Sequence, residues 1–302
     1  MIKFSGSYCW TMVAAFALVL GASSCSTGMR VAKSTQMPGD HYVAMGSSFA
    51  AGPGVATAAD NPRNRCGRSS ENYARQLARL RHLRLTDVSC GGATTAHLLG
   101  SWNELPSQLD ALRTDTKLVT ITIGGNDVNY IGGLMAGSCS SSEYASPASA
   151  AVCQGMRRRA GAADGARPPP SEETWERLGA NLRQIAQEVT RRAPQARLVF
   201  VDYVTVLPDR GACRAAPLAP EAAAFARNTA RRLAELTANA ARSVNADVIR
   251  ASRLSKDHHA CSADPWATGF VSKEGMFEPA PYHPNLAGMT AIAKKIDRQL
   301  SR

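Results

Sequence analysis

The chain has 302 residues, 44% hydrophobic and 20% charged, a globular composition long enough for one sizeable α/β domain. Lysine and arginine outnumber acidic residues by 35 to 24, for a net charge of +11, which suits anionic surroundings such as membrane headgroups or cell-envelope polymers. The basic residues are scattered over helix-like segments, with one tight run, Arg157-Arg158-Arg159, and no nucleic-acid motif beside it; they read as solvated helix faces, and no nucleic-acid partner is expected.

At the N-terminus Lys3 precedes an apolar stretch, residues 12–20, and then the small residues of "GASSCS". Residues 1–24 read as a signal peptide, too short to span a membrane comfortably. Two processing routes fit. A general signal peptidase cuts among Ala22, Ser23 and Ser24, or "ASSC" acts as a lipobox and Cys25 becomes a lipidated first residue. Of eight cysteines, Cys9 lies in the signal and six lie in the body, so Cys25 is the odd one out, and lipidation accounts for it. Six cysteines in an exported chain read as disulfides, with sequential pairing preferred although many connectivities are open. No Cys-x-x-Cys pair suggests a metal site. Residues 25–39 are polar and small, a tether, and the folded domain is expected over 40–302.

Along that domain "HYVAMG" (41–46) reads as a buried first strand. A serine-capped helix is predicted over 69–80, and a second strand over 83–89. "KLVTITIGG" (117–125) is the strongest strand, a β-branched run closed by two glycines. Residues 136–170, with Cys139, Cys153 and "RPPP", read as irregular. A long helix is predicted over 172–192, a fourth strand over 196–203, an Ala- and Arg-rich helix over 220–244, a short fifth strand over 246–251 and an amphipathic closing helix over 285–300. Strands alternating with helices imply a mostly parallel five-stranded sheet inside a three-layer α/β/α sandwich.

In such sheets the functional crevice lies at the carboxyl ends of the strands. Three small-residue turns fall there: Gly46-Ser47-Ser48 after strand one, Gly91-Gly92 after strand two, and Gly124-Gly125-Asn126-Asp127 after strand three. Taken singly, each is an ordinary turn or helix cap. Together they hold the parts of an acyl-transfer site: a nucleophile, a base and oxyanion donors. Ser48 is the candidate nucleophile, the Gly92 backbone N–H and the Asn126 amide are candidate donors, and His283 in "APYHPNLAGM" is the candidate base. His41, His82, His97, His258 and His259 sit less favourably, in a strand, at a helix end, in a helix and in a Cys-bounded loop.

In order, "GSSFAAGPG", "CGGATT", "GGND" and "HPNLAG" resemble the four sequence blocks of the SGNH hydrolases, also called GDSL esterases and lipases, over about residues 40–300. "CGGATT" and the six body cysteines are similar to the secreted actinobacterial lipase branch. The resemblance implies Ser48 as nucleophile, His283 as base, and an oxyanion hole from the Ser48 and Gly92 N–H groups and the Asn126 amide. It implies three sequential disulfides, Cys66–Cys90, Cys139–Cys153 and Cys213–Cys261. Two positions depart from the family pattern. Ser47 stands where an aspartate usually precedes the nucleophile, and is expected to brace the turn instead. Ala280 stands where the triad aspartate is usual, three residues before the histidine. The expected replacement is the Ala280 backbone carbonyl, with Glu278 and Asp264 as alternative third members.

The resemblance implies an exported serine esterase or lipase acting on small-molecule or lipid esters without cofactor or metal, monomeric, secreted or held to the membrane through Cys25. Two other readings compete. One is a carbohydrate O-acetyl esterase of the cell envelope. The other is an inactive lipoprotein that binds lipid or glycan, favoured by the missing aspartate and opposed by the retained Ser48, Asn126 and His283.

Overall fold

The computed structural model describes residues 36–140, 150, 153–155, 169–270 and 280–302. The signal peptide, Cys25, most of the tether and Glu278 lie outside the described residues.

The described elements are, in chain order, β1 (His41–Gly46), α1 (Ser48–Ala51), α2 (Tyr73–Arg81), β2 (Arg84–Asp87), α3 (Thr95–Leu99), a 3₁₀ turn (Gln108–Ala111), β3 (Thr116–Thr122), α4 (Tyr130–Cys139), α5 (Glu172–Arg192), β4 (Arg197–Val201), α6 (Pro220–Ser243), β5 (Asp247–Ile249), α7 (Ala251–Leu254) and α8 (Leu286–Leu300). The strands form one sheet in the order β2-β1-β3-β4-β5, with every neighbouring pair parallel. The expected sandwich is therefore present. Strands covered on both faces read as continuous apolar runs, and all six residues of β1 are buried.

Strand order places the site. The chain steps from β1 to β2 in one direction and from β3 through β4 to β5 in the other. Right-handed crossovers then put the connecting helices on opposite faces. Accordingly α2 packs against α8, and α5 against α6. The direction reverses between β1 and β3, so a crevice opens beyond their carboxyl ends. Ser48 and the turn holding Asn126 follow those two strands.

Two expectations are corrected. The helix expected from Ser69 starts at Tyr73, because Asn72 is the cap and its side chain accepts the Arg75 N–H. Ser69 instead donates its N–H to Ala51 O and forms a bridge with Ala58. The segment read as irregular from 136 begins inside α4, which runs on to Cys139 despite Gly132, Gly133 and Gly137. Tertiary ties outweigh low helix propensity there: Cys139 is bonded to Cys153, and Ser138 to Tyr282. The other disulfides are Cys66–Cys90 and Cys213–Cys261, so the pairing is sequential. Among the described residues no helix is long and apolar enough to cross a membrane.

Candidate active site

β1 ends in a backbone that only glycine fits. Gly46 has φ +139°, and a Cβ there would lie 2.3 Å from Thr122 O on β3. The Gln108 carboxamide seals this strand end from the side, accepting the Gly46 N–H at 2.7 Å and donating to Gly46 O at 3.0 Å. Ser47 donates its N–H to Thr122 O, and the chain turns at once into α1. Ser48 is the first residue of α1, so its N–H has no intrahelical acceptor. Ser47 is 1% exposed, and the Tyr203 phenol accepts the Gly125 N–H at 2.7 Å. Through its N–H on Thr122 O, the serine that replaces the usual aspartate links the end of β1 to the end of β3.

His283 reaches the same edge from the turn before α8. Its Nε2 is 2.7 Å from Ser48 Oγ, and its Nδ1 is 2.7 Å from the carbonyl oxygen of Pro281. A carbonyl only accepts, so Nδ1 carries the proton and Nε2 is the acceptor facing the serine hydroxyl. Burial pushes the imidazole down to about 4, against the Pro281 carbonyl, which raises it. Phe49 covers the ring, with centroids 4.9 Å apart.

The orienting carbonyl was expected from Ala280, and this is corrected. Ala280 O accepts from Thr268 Oγ1 at 2.7 Å and from the His283 N–H at 3.2 Å, closing the turn instead. The alternative Asp264 is engaged elsewhere: its carboxylate and its carbonyl both face His258 Nδ1, at 3.3 and 2.8 Å.

The opposite wall joins two turns. Cys90 to Ala93 is a β-turn closed by the Ala93 N–H on Cys90 O, with Gly92 at φ +84° in its third position. Asn126 donates from Nδ2 to Ala93 O at 2.9 Å, which leaves its second amide hydrogen for another acceptor. Next to it, Asp127 accepts from the Thr95 N–H and hydroxyl, and so caps α3 rather than the helix that follows it in sequence. Burial raises the Asp127 carboxyl, while its bonds from Thr95 act the other way. The Cys66–Cys90 disulfide and the Gly91 N–H on Cys66 O fasten the same turn from outside. A stack stands beside it. The Trp102 ring lies on His97, centroids 4.1 Å apart, and carries the Arg65 guanidinium 3.8 Å from its centroid. A Cβ on Gly92 would come within 3.3 Å of the Trp102 ring edge.

Ser48, His283, Gly92 and Asn126, which the sequence pattern selects, all lie at the carboxyl edge of the sheet. Sequence reasoning misses Tyr203, Thr268, the Pro281 carbonyl and the capping role of Asp127. Only Asp127 left a usable signal, as the acid of "GGND".

The chain matches the model of the GDSL-like lipase/acylhydrolase family over residues 44–291. It is similar to Lipase 2 of Streptomyces coelicolor, 31% identical over 94% of this chain and 93% of that protein. It is also similar to a lipase of Streptomyces rimosus, 27% identical over 74% of this chain and 75% of the relative. Among solved structures, a phospholipase A1 from Streptomyces albidoflavus shares the fold with a TM-score of 0.66 at 24% identity, over 86% of this chain and 99% of that one. With the family model matched over most of its length and a curated lipase aligned across nearly all of it, the chain belongs to the GDSL-like lipases and acylhydrolases, the SGNH hydrolases, in their actinobacterial lipase branch, and is a carboxylic ester hydrolase.

Proposed function

We propose that the chain is an exported serine esterase or lipase that works through a Ser48–His283 dyad. One observation carries this reading: a continuous relay from Ser48 Oγ through the imidazole to the Pro281 carbonyl, with both contacts at 2.7 Å. Ser48 Oγ attacks the ester carbonyl while His283 Nε2 takes its proton. The charge that develops on the carbonyl oxygen is met by the Ser48 and Gly92 N–H groups and the free hydrogen of the Asn126 amide. His283 then returns the proton to the departing alcohol, leaving an acyl-serine. A water molecule deprotonated by the same nitrogen releases the acid. A neutral carbonyl stabilises the transient imidazolium less than a carboxylate does. The dyad is therefore slower than a full triad would be on the same scaffold.

Export is supported by the N-terminal pattern and by the likeness to an extracellular lipase of Streptomyces rimosus, which has the same fold at 24% identity. Lipidation of Cys25 is supported by "ASSC" and by the pairing of all six body cysteines with one another. Replacing Cys25 with serine should release the protein from membranes.

The test of the dyad is a panel of nitrophenyl esters of increasing acyl length, run with fluorophosphonate labelling. Ser48→Ala and His283→Ala should each lose roughly 10⁴–10⁶-fold in kcat while keeping the fold. Labelling should vanish in Ser48→Ala, and full activity in either variant would sink the assignment. The chain-length profile of the wild type separates a lipase, which favours long acyl groups, from an acetyl esterase.

A further inference from the structure

The four residues that end in His283 form an unusual turn. The His283 N–H closes on Ala280 O at 3.2 Å, Pro281 is in the second position, and Tyr282 is in the third with φ +60°. Proline second and positive φ third are the marks of a type II turn, whose third position normally takes glycine or asparagine. Type I and type II turns differ by a flip of the central peptide plane. Here that plane is the Pro281–Tyr282 peptide, whose carbonyl is the group that accepts from His283 Nδ1. The sign of φ at Tyr282 therefore decides whether the ring meets a carbonyl oxygen or a peptide N–H.

A bulky residue in the left-handed region persists only where its surroundings over-determine it. Two anchors do so. The Tyr282 side chain is fully buried, and its hydroxyl is bonded to Ser138 Oγ on α4. Ser138 Oγ donates to Leu134 O, so the phenol is the donor to Ser138. Thr268 is the second anchor. Its hydroxyl donates to Ala280 O at 2.7 Å and accepts the His283 N–H at 3.0 Å, and its own N–H donates to His283 O at 2.9 Å. One side chain thus holds both ends of the turn. By saturating Ala280 O it also leaves Pro281 O as the carbonyl that serves the imidazole.

We propose that Thr268 and Tyr282 are positioning residues that lock the Pro281–Tyr282 peptide with its carbonyl toward His283, and so set the tautomer and aim of the base. This rests on the dyad described above. Neither residue touches the reacting atoms; both act through the turn.

Thr268→Val keeps the shape of the side chain and removes both hydroxyl bonds. The expected result is a fall in kcat of about 10²-fold, the scale of a misplaced catalytic group, with KM little changed. Proton NMR reads the lock directly. The Nδ1–H held by Pro281 should give a downfield resonance in the wild type, absent in His283→Ala. It should be lost or shifted in Thr268→Val and restored, with most of the activity, in Thr268→Ser. If Thr268→Val does not fold, Tyr282→Phe takes its place. That variant keeps the ring and removes only the Ser138 bond, and the same resonance and the same selective loss of kcat are expected. A folded Thr268→Val, or in its absence a folded Tyr282→Phe, with wild-type kcat and an unmoved resonance overturns the proposal. Loss of activity that Thr268→Ser does not rescue overturns it as well. Failure of the dyad itself would look different, as full activity in Ser48→Ala.

Discussion

The two walls of the site are held by opposite means. On the side of the base, the turn from Ala280 to His283 is fixed by neutral groups: a threonine hydroxyl, backbone carbonyls and a buried tyrosine. On the oxyanion side, the Gly92 turn is fastened by a disulfide, and a half-buried carboxylate ties Thr95, just beyond it, to the turn after β3, with a cation–aromatic stack standing alongside. Among the described residues, the acid nearest these turns, Asp127, thus sits on the wall opposite His283. It caps α3 and ties the turn after β3 to the turn after β2. The contrast teaches that this scaffold separates two tasks. In the proposed mechanism a disulfide and a carboxylate hold the donors still, while dipoles aim the buried base and leave it neutral.

The largest effect that breaks this comparison is expected at Asn126. Its amide is held by Ala93 O and is the side-chain oxyanion donor in the proposed mechanism. Asn126→Ala should lower kcat roughly 10²–10³-fold, as loss of one oxyanion donor does. KM should change little, because the charge develops only in the transition state. Steady-state kinetics on a short nitrophenyl ester checks this, and an effect confined to KM would reduce Asn126 to a shaper of the pocket.

The neutral setting of the base predicts a pH profile. His283 acts as a base only when unprotonated, and burial pushes it down to about 4. The acidic limb of kcat/KM, which reports the free enzyme, should therefore have its midpoint near pH 4. A carboxylate beside the ring would move it upward. A midpoint at or above the ordinary histidine value would mean that a charged group reaches His283. Stability must be followed in parallel, because two groups act in opposite directions. The unfolded chain protonates His283 below its ordinary value of 6.5, but the folded protein does so only near 4, so this group's stabilisation is lost as pH falls through that window. Burial raises Asp202 from 3.8 to about 6, so protonation there favours the folded state over nearly the same range. Circular dichroism at each pH separates loss of base from loss of fold.

How much of this was legible in the sequence follows from the range of each interaction. β3 is a β-branched run buried on both faces, and its pattern is local, so it could be read directly. So could α5, capped by Ser171 with Glu172 and Glu173 in its first turn. Ser48, Gly92 and Asn126 could be placed on one edge because three strand ends must converge in a parallel sheet, and His283 because the closing helix returns the chain there. What failed was set by distant partners. Ser69 looks like a cap until Ala51 and Ala58 engage it. Ala280 and Pro281 both offer a carbonyl, and the Ala280 carbonyl is taken up by Thr268, twelve residues upstream. Tyr203 lies 78 residues from the Gly125 N–H it accepts. Nothing in "VDYV" announces that contact.

The smallest expected effect sharpens the comparison most. Trp102 stacks with His97 and with Arg65, and its ring edge faces Gly92. Trp102→Ala removes an aromatic stack and a cation–π contact, together worth about 1–2 kcal/mol, and in addition the apolar area the ring buries against the core. Urea unfolding should show a loss of at least that size. The Gly92 turn itself is closed by its own Cys90–Ala93 hydrogen bond and fastened by the Cys66–Cys90 disulfide, neither of which involves the tryptophan. Asn126 is likewise bound to Ala93 O, independently of the stack. Activity on a short acyl ester should therefore stay within a few-fold of wild type, well above that of Asn126→Ala. If Trp102→Ala instead loses kcat as severely as Asn126→Ala, the stack and not the disulfide holds the oxyanion wall, and reducing Cys66–Cys90 in the wild type should then leave kcat intact.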